Sequence, residues 1–99
     1  MQNLSYKEMV MITPFVIKLI NRFGYEFREP SRNIAQILGN ISFMSVIKYL
    51  GILEVHGYMN VEKPSRKQGN IYKLKKGRVN RLIEDYKADI EIGKILANV

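Results

Sequence analysis

The sequence predicts a mainly helical α+β fold, on three observations. Apolar residues recur at helical spacing through residues 4–24 and again through 31–57. The period then shortens to the alternation of strands over 58–74. Helical spacing returns over 78–97. The chain has 99 residues and neither linker nor repeat, so residues 1–99 are read as a single domain. With 46% hydrophobic and 25% charged residues, the composition is that of a chain able to form a core.

Each element has its own local cause. In the first segment, Ser5 and Glu8 have the spacing of a capping box, so a helix can start at Ser5. Thr13-Pro14 is a second start signal, and Phe15, Ile17, Leu19, Ile20 and Phe23 then supply a broad apolar face up to Gly24. One helix kinked at Pro14 and two helices meeting there both fit this pattern. Ser31 is the expected cap of a short helix burying Ile34, Ala35, Ile37 and Leu38. Gly39-Asn40 breaks it with two residues that tolerate positive φ, as a tight turn between helices requires. Ser42 or Asn40 caps a third helix running to about His56, with Val46, Ile47, Leu50 and Leu53 as its inner stripe. After Gly57, residues 58–62 and 71–74 read as paired strands, and Pro64 and Gly69 mark the long hairpin tip between them. In the last helix Val79, Ile83, Tyr86, Ile90, Gly93 and Ala97 alternate spacings of four and three, a seam suited to another helix.

Composition removes several function classes. The chain has no cysteine, which excludes disulfides, thiolate metal sites and cysteine nucleophiles, and one histidine cannot form a histidine cluster. No glycine-rich phosphate loop or spaced ligand set is present, so no enzyme and no cofactor is expected. No apolar run reaches the ~18–20 residues of a membrane span. The expected compartment is the cytoplasm, or the host cytoplasm if the chain is viral, with no membrane partner.

Charge is concentrated. The net charge is +7, yet residues 1–62 contribute only +1 and residues 84–99 contribute −2. Residues 63–83 carry Lys63, Arg66, Lys67, Lys73, Lys75, Lys76, Arg78 and Arg81 with no acidic side chain. Such a block attracts a polyanion, nucleic acid before an anionic membrane surface.

Two short helices joined by a tight glycine-containing turn make a helix-turn-helix, and a following hairpin makes the winged variant. The stretch from Ser31 to Gly39 (SRNIAQILG) resembles the second helix and turn of winged helix-turn-helix regulators of the MarR, PadR and ArsR type. The stretch from Ile41 to Leu50 (ISFMSVIKYL) resembles their recognition helix. Leu53-Glu54-Val55-His56-Gly57 is similar to their step into the wing, and Tyr72-Lys73-Leu74 followed by Gly77 to the exit from it. The resemblance covers about residues 13–84. An isoleucine- and lysine-rich chain without cysteine is also similar to small archaeal or archaeal-virus regulators.

The resemblance implies a homodimeric, sequence-specific binder of double-stranded DNA that regulates transcription, its third helix in the major groove and its wing on the flanking backbone or minor groove. By resemblance Ser42, Phe43, Met44, Ser45 and Lys48 face the groove. Lys63, Arg66, Lys67 and Gln68 belong to the wing tip, and Arg32 to a phosphate contact. Phe43, Met44 and Ile47 donate no hydrogen bonds; they fit thymine methyl groups, their own core or a protein partner. A winged-helix module for protein interaction is therefore the alternative. Val79, Ile83, Tyr86, Ile90, Gly93 and Ala97 are the expected dimer interface, with residues 4–12 available to complete it. No effector ligand is identified. Glu84, Asp85, Asp89 and Glu91 read as the solvated face of the last helix, paired with Lys87 and Lys94. His56 reads as an ordinary residue near a helix end.

Overall fold

The computed structural model describes residues 4–65 and 67–97, with side chains as far as Gly93. Four helices surround a small antiparallel sheet: α1 (Tyr6–Phe23), β1 (Glu26–Phe27), α2 (Ser31–Leu38), α3 (Phe43–Val55), β2 (Met59–Glu62), β3 (Ile71–Leu74) and α4 (Lys76–Ala97). The class is α+β and mainly α.

The two start signals of the first segment resolve into one continuous helix. Ser5 is its cap: its hydroxyl accepts from Glu8 N–H, and the Glu8 carboxylate accepts from Ser5 N–H. These bonds, the backbone one foremost, hold the Glu8 carboxyl below its ordinary value of 4.5. Pro14 lies inside α1, and the buried Thr13 hydroxyl donates to Met9 C=O at 2.6 Å. Thr13 is thus a helix-interior residue with its hydroxyl satisfied, not a cap.

The core is built from one face of α1 (Ile12, Phe15, Val16, Leu19), Ile34 of α2, the stripe Val46, Leu50 and Leu53 of α3, and the inward residues of the sheet. Ser31 is the first residue of α2 and makes no cap; Pro30 precedes it with no side-chain cap bond. Gly39 and Asn40 take φ of +64° and +50°, as the turn chemistry requires. Ser42 caps α3 by accepting from Ser45 N–H at 3.1 Å. Across this four-residue break α2 and α3 are bent by 111°.

Strand order is β1-β3-β2, so β3 is central. Met59 pairs with Leu74 and Glu62 with Ile71, and on the other edge Glu26 pairs with Lys73 and Phe27 with Tyr72. The sequence pattern contains no signal for β1. Its Phe27 ring stacks on Tyr72 at 5.2 Å and meets Phe23 at 5.5 Å, which fastens the hairpin to the end of α1. Leu74 N–H donates to Tyr25 C=O, and Lys75 N–H to Tyr58 C=O, closing the sheet against both of its entry loops.

Three expectations are corrected. Ile37 and Ile47, placed on inner stripes by period, are exposed. Val79, placed in the dimer seam, is 0% exposed within the single chain, where it and Leu82 belong to the core. The start of α4 is therefore core, with Ile83 packed beside it. The later part is different. A 22-residue helix is about 33 Å long, and its buried residues lie in the first two turns. Farther along, Tyr86 is half-buried and Ile90, Ile92 and Gly93 are exposed. The Ala97 side chain lies outside the described residues.

Candidate nucleic-acid interface

α3 has three differently occupied sides. Val46, Leu50 and Leu53 point into the core. Ser42 and Ser45 border a depression of about 250 Å³ shared with Phe15, Lys18 and Asn40. Phe43 and Ile47 border a groove of about 400 Å³ whose other walls are Arg28, Arg32, Gly69, Asn70 and Tyr72. A second depression of about 280 Å³ continues this groove, bringing Ile47 and Gly51 of α3 beside Val61, Lys63 and Asn70 of the hairpin. The third helix and the root of the hairpin thus line one concave surface.

Arg32, Phe43 and Lys63, named from sequence, meet at this surface. Arg32 lies with its guanidinium 4.9 Å from the Phe43 ring centroid, a cation–π contact that fixes the charge above the start of α3. Phe43 is therefore half-buried beneath an arginine. Met44, Lys48, Lys67 and Gln68 are exposed. Gln68 is positioned by its N–H donating to Ser65 Oγ at 3.2 Å. Ser42 and Ser45 are turned toward each other, the Ser42 hydroxyl donating to Ser45 Oγ at 2.9 Å. Arg66 lies outside the described residues. The sequence reading did not single out Arg28, Asn70 or Tyr72. Arg28 stands four residues before Arg32, but only the β1 pairing brings its loop beside the hairpin.

Not all of the basic block is available to this surface. Lys73 Nζ is 2.8 Å from Glu62 Oε1 and 3.8 Å from Glu26 Oε1, and the Glu62 hydrogen bond raises its pKa above 10.5. Lys76 lies 5.3 Å from the Tyr25 ring centroid. Arg78 lies 4.8 Å from that of Tyr58 and donates to His56 C=O. His56 itself is 3.8 Å from Glu8.

A cleft of about 570 Å³ between the start of α1 and α4, lined by Leu4, Met9, Tyr58, Arg78 and Arg81, contains none of the DNA-facing residues expected from sequence. Among the described residues no group of three or more His, Cys, Asp or Glu side chains could hold a metal ion, and no single helix is long and apolar enough to cross a membrane. Comparison with protein-family models, curated proteins and solved structures finds no match to the chain.

Proposed function

We propose that the chain is a winged helix-turn-helix DNA-binding protein that regulates transcription as a homodimer, with α3 entering the major groove and the β2–β3 hairpin reaching the flanking backbone. The observation that carries this reading is the surface shared by α3 and the hairpin, with Arg28, Arg32 and Lys63 on its walls and Lys48 and Lys67 exposed nearby. A bend of 111° across a four-residue turn falls in the range of helix-turn-helix motifs. A major groove about 12 Å wide admits one α-helix. Cations beside that helix neutralise phosphates and fix its register, while the helix face reads bases.

The part of α4 beyond the core, with Tyr86, Ile90 and Gly93, supports pairing with a second copy. A dimer of this kind places two recognition helices about 34–36 Å apart on a pseudo-palindrome.

The test is selection of bound duplexes from a random pool, followed by titration at several salt concentrations. A dimer neutralising about six to ten phosphates gives log K falling with log salt at a slope of roughly −5 to −9. Affinity indifferent to salt, or a pool with no enrichment, overturns the reading. Light scattering checks the dimer. Lys48→Ala changes sequence preference if Lys48 reads bases, and weakens all sequences alike if it touches phosphate only.

A second reading, a module that binds protein, draws on the apolar exposure of Met44 (69%), Ile47 (45%) and Val55 (76%). A stoichiometric protein partner lost on Phe43→Ser, with DNA binding unimpaired, favours it.

A further inference from the structure

The polar groups of α3 do not provide the usual means of reading bases. The helix has no Arg, Asn or Gln between Phe43 and Val55. The bidentate pairings of Arg with guanine and of Asn or Gln with adenine are therefore absent from it. Ser42 and Ser45, the residues able to donate near its start, are turned toward each other in the cap. At 100° per residue, the direction opposite the core stripe is occupied by Met44, Lys48, Gly51 and Val55, with Ile47 on the flank toward the hairpin.

Gly51 is unexplained by the fold. A mid-helix glycine costs about 1 kcal/mol relative to alanine. Its φ is not positive, and a Cβ placed there meets nothing within 4 Å in the chain. Neither packing nor backbone geometry requires the glycine. A surface approaching from outside would require it.

We propose that this outer face, Met44, Ile47, Lys48 and Gly51, recognises thymine by apolar contact with its C5-methyl groups, Gly51 allowing the duplex to approach closely. The inference rests on the DNA-binding reading and specifies its ligand as a thymine-containing duplex. Charge complementarity identifies the occupant: this apolar ridge carries Lys48 and is flanked by Arg28, Arg32, Lys63 and Lys67. That suits a polyanion with methyl groups in its groove better than an apolar protein face.

The test uses a duplex selected from the random pool. Each thymine is replaced singly by deoxyuridine, which lacks only the methyl, and binding is followed by fluorescence anisotropy at fixed salt. At thymines under α3 the expected loss is about three- to fivefold per methyl, the worth of one buried carbon; at thymines outside its footprint no loss is expected. Met44→Ala lowers affinity for the thymine duplex and abolishes part of the uridine penalty, a coupling that a merely structural role would not produce. Met44 is exposed, so the variant retains its fold. Gly51→Ala raises the melting temperature and yet weakens DNA binding several-fold. Equal affinity for thymine and uridine duplexes overturns the proposal while leaving DNA binding in place. A Gly51→Ala protein that binds as tightly as the parent overturns the role of Gly51. Absence of any bound duplex overturns the proposal together with the reading it rests on.

Discussion

The tip and the root of the hairpin carry similar charge in sequence but hold it differently. At the tip, Lys63 and Lys67 are exposed, in a stretch without acidic residues. At the root and the adjoining start of α4, Lys73 is clasped between Glu62 and Glu26, while Lys76 and Arg78 lie over Tyr25 and Tyr58. Both regions come from one run of eight basic residues, Lys63 to Arg81. The difference teaches that a count of cations overstates the charge a partner meets. Cross-strand register and the aromatic residues of neighbouring loops engage part of it inside the fold. The tip escapes because Pro64 and Gly69 end the pairing before any acidic strand residue can reach it.

The largest expected effect lies at the tip. Replacing Lys63 and Lys67 together by alanine is expected to weaken binding to every duplex on the order of tenfold, and to reduce the salt slope by about two, near one per lost phosphate contact. Thermal stability should hardly change, because both side chains are exposed. Parallel titrations of a selected and a scrambled duplex check this. A loss confined to the selected sequence would assign these lysines to base reading and break the proposed division of labour.

Arg78 is the counterpart at the root. Arg78→Met removes a guanidinium from the Tyr58 ring and a donor from His56 C=O. The expected cost is about 1–2 kcal/mol of folding stability, with DNA affinity within about twofold of the parent. Denaturant unfolding and anisotropy on the same preparations measure the two quantities. A stable variant with weakened DNA binding would move Arg78 from the scaffold to the interface.

Between these two lies Phe43, which is both scaffold and surface. Phe43→Leu keeps apolar volume but removes the ring beneath Arg32. Affinity should fall by about two- to fivefold, the worth of an exposed cation–π contact that positions the charge. If Arg32→Ala and Phe43→Leu reduce affinity additively, the stack has no part in binding.

Much of this architecture is legible in the residues. Ser5 with Glu8, Gly39-Asn40, Ser42 and Gly57 each act locally, so the helix boundaries follow from chemistry that needs no tertiary partner. Period failed where it was undiscriminating. α3 is apolar on nearly every side (FMSVIKYLGILEV), so Ile47 satisfies the inner spacing as well as Leu50 does, and only packing separates them. Val79 illustrates the same limit: a heptad-like seam fits a chain's own core and a partner helix equally. β1 was invisible because two residues carry no period. With it went Arg28, whose place beside the groove depends on a strand pairing formed 45 residues farther along the chain, between Phe27 and Tyr72.

The smallest effect, at Lys73, is also the one whose pH dependence has a definite sign. The Glu62 hydrogen bond raises the Lys73 pKa above its ordinary 10.5. A group whose folded pKa is raised contributes stability that is fully present below the unfolded value and is lost as pH rises through the folded one. Lys73→Met should therefore lower the melting temperature slightly and by a constant amount below pH 10.5, with the gap to the parent closing above it. DNA affinity near neutral pH should stay within about twofold, since this ammonium is already clasped by two carboxylates. Melting curves of parent and variant across the alkaline range decide the point. A gap that persists unchanged above that value would mean that the methylene stem of Lys73, packed on the sheet, and not its charge, is what the hairpin root uses.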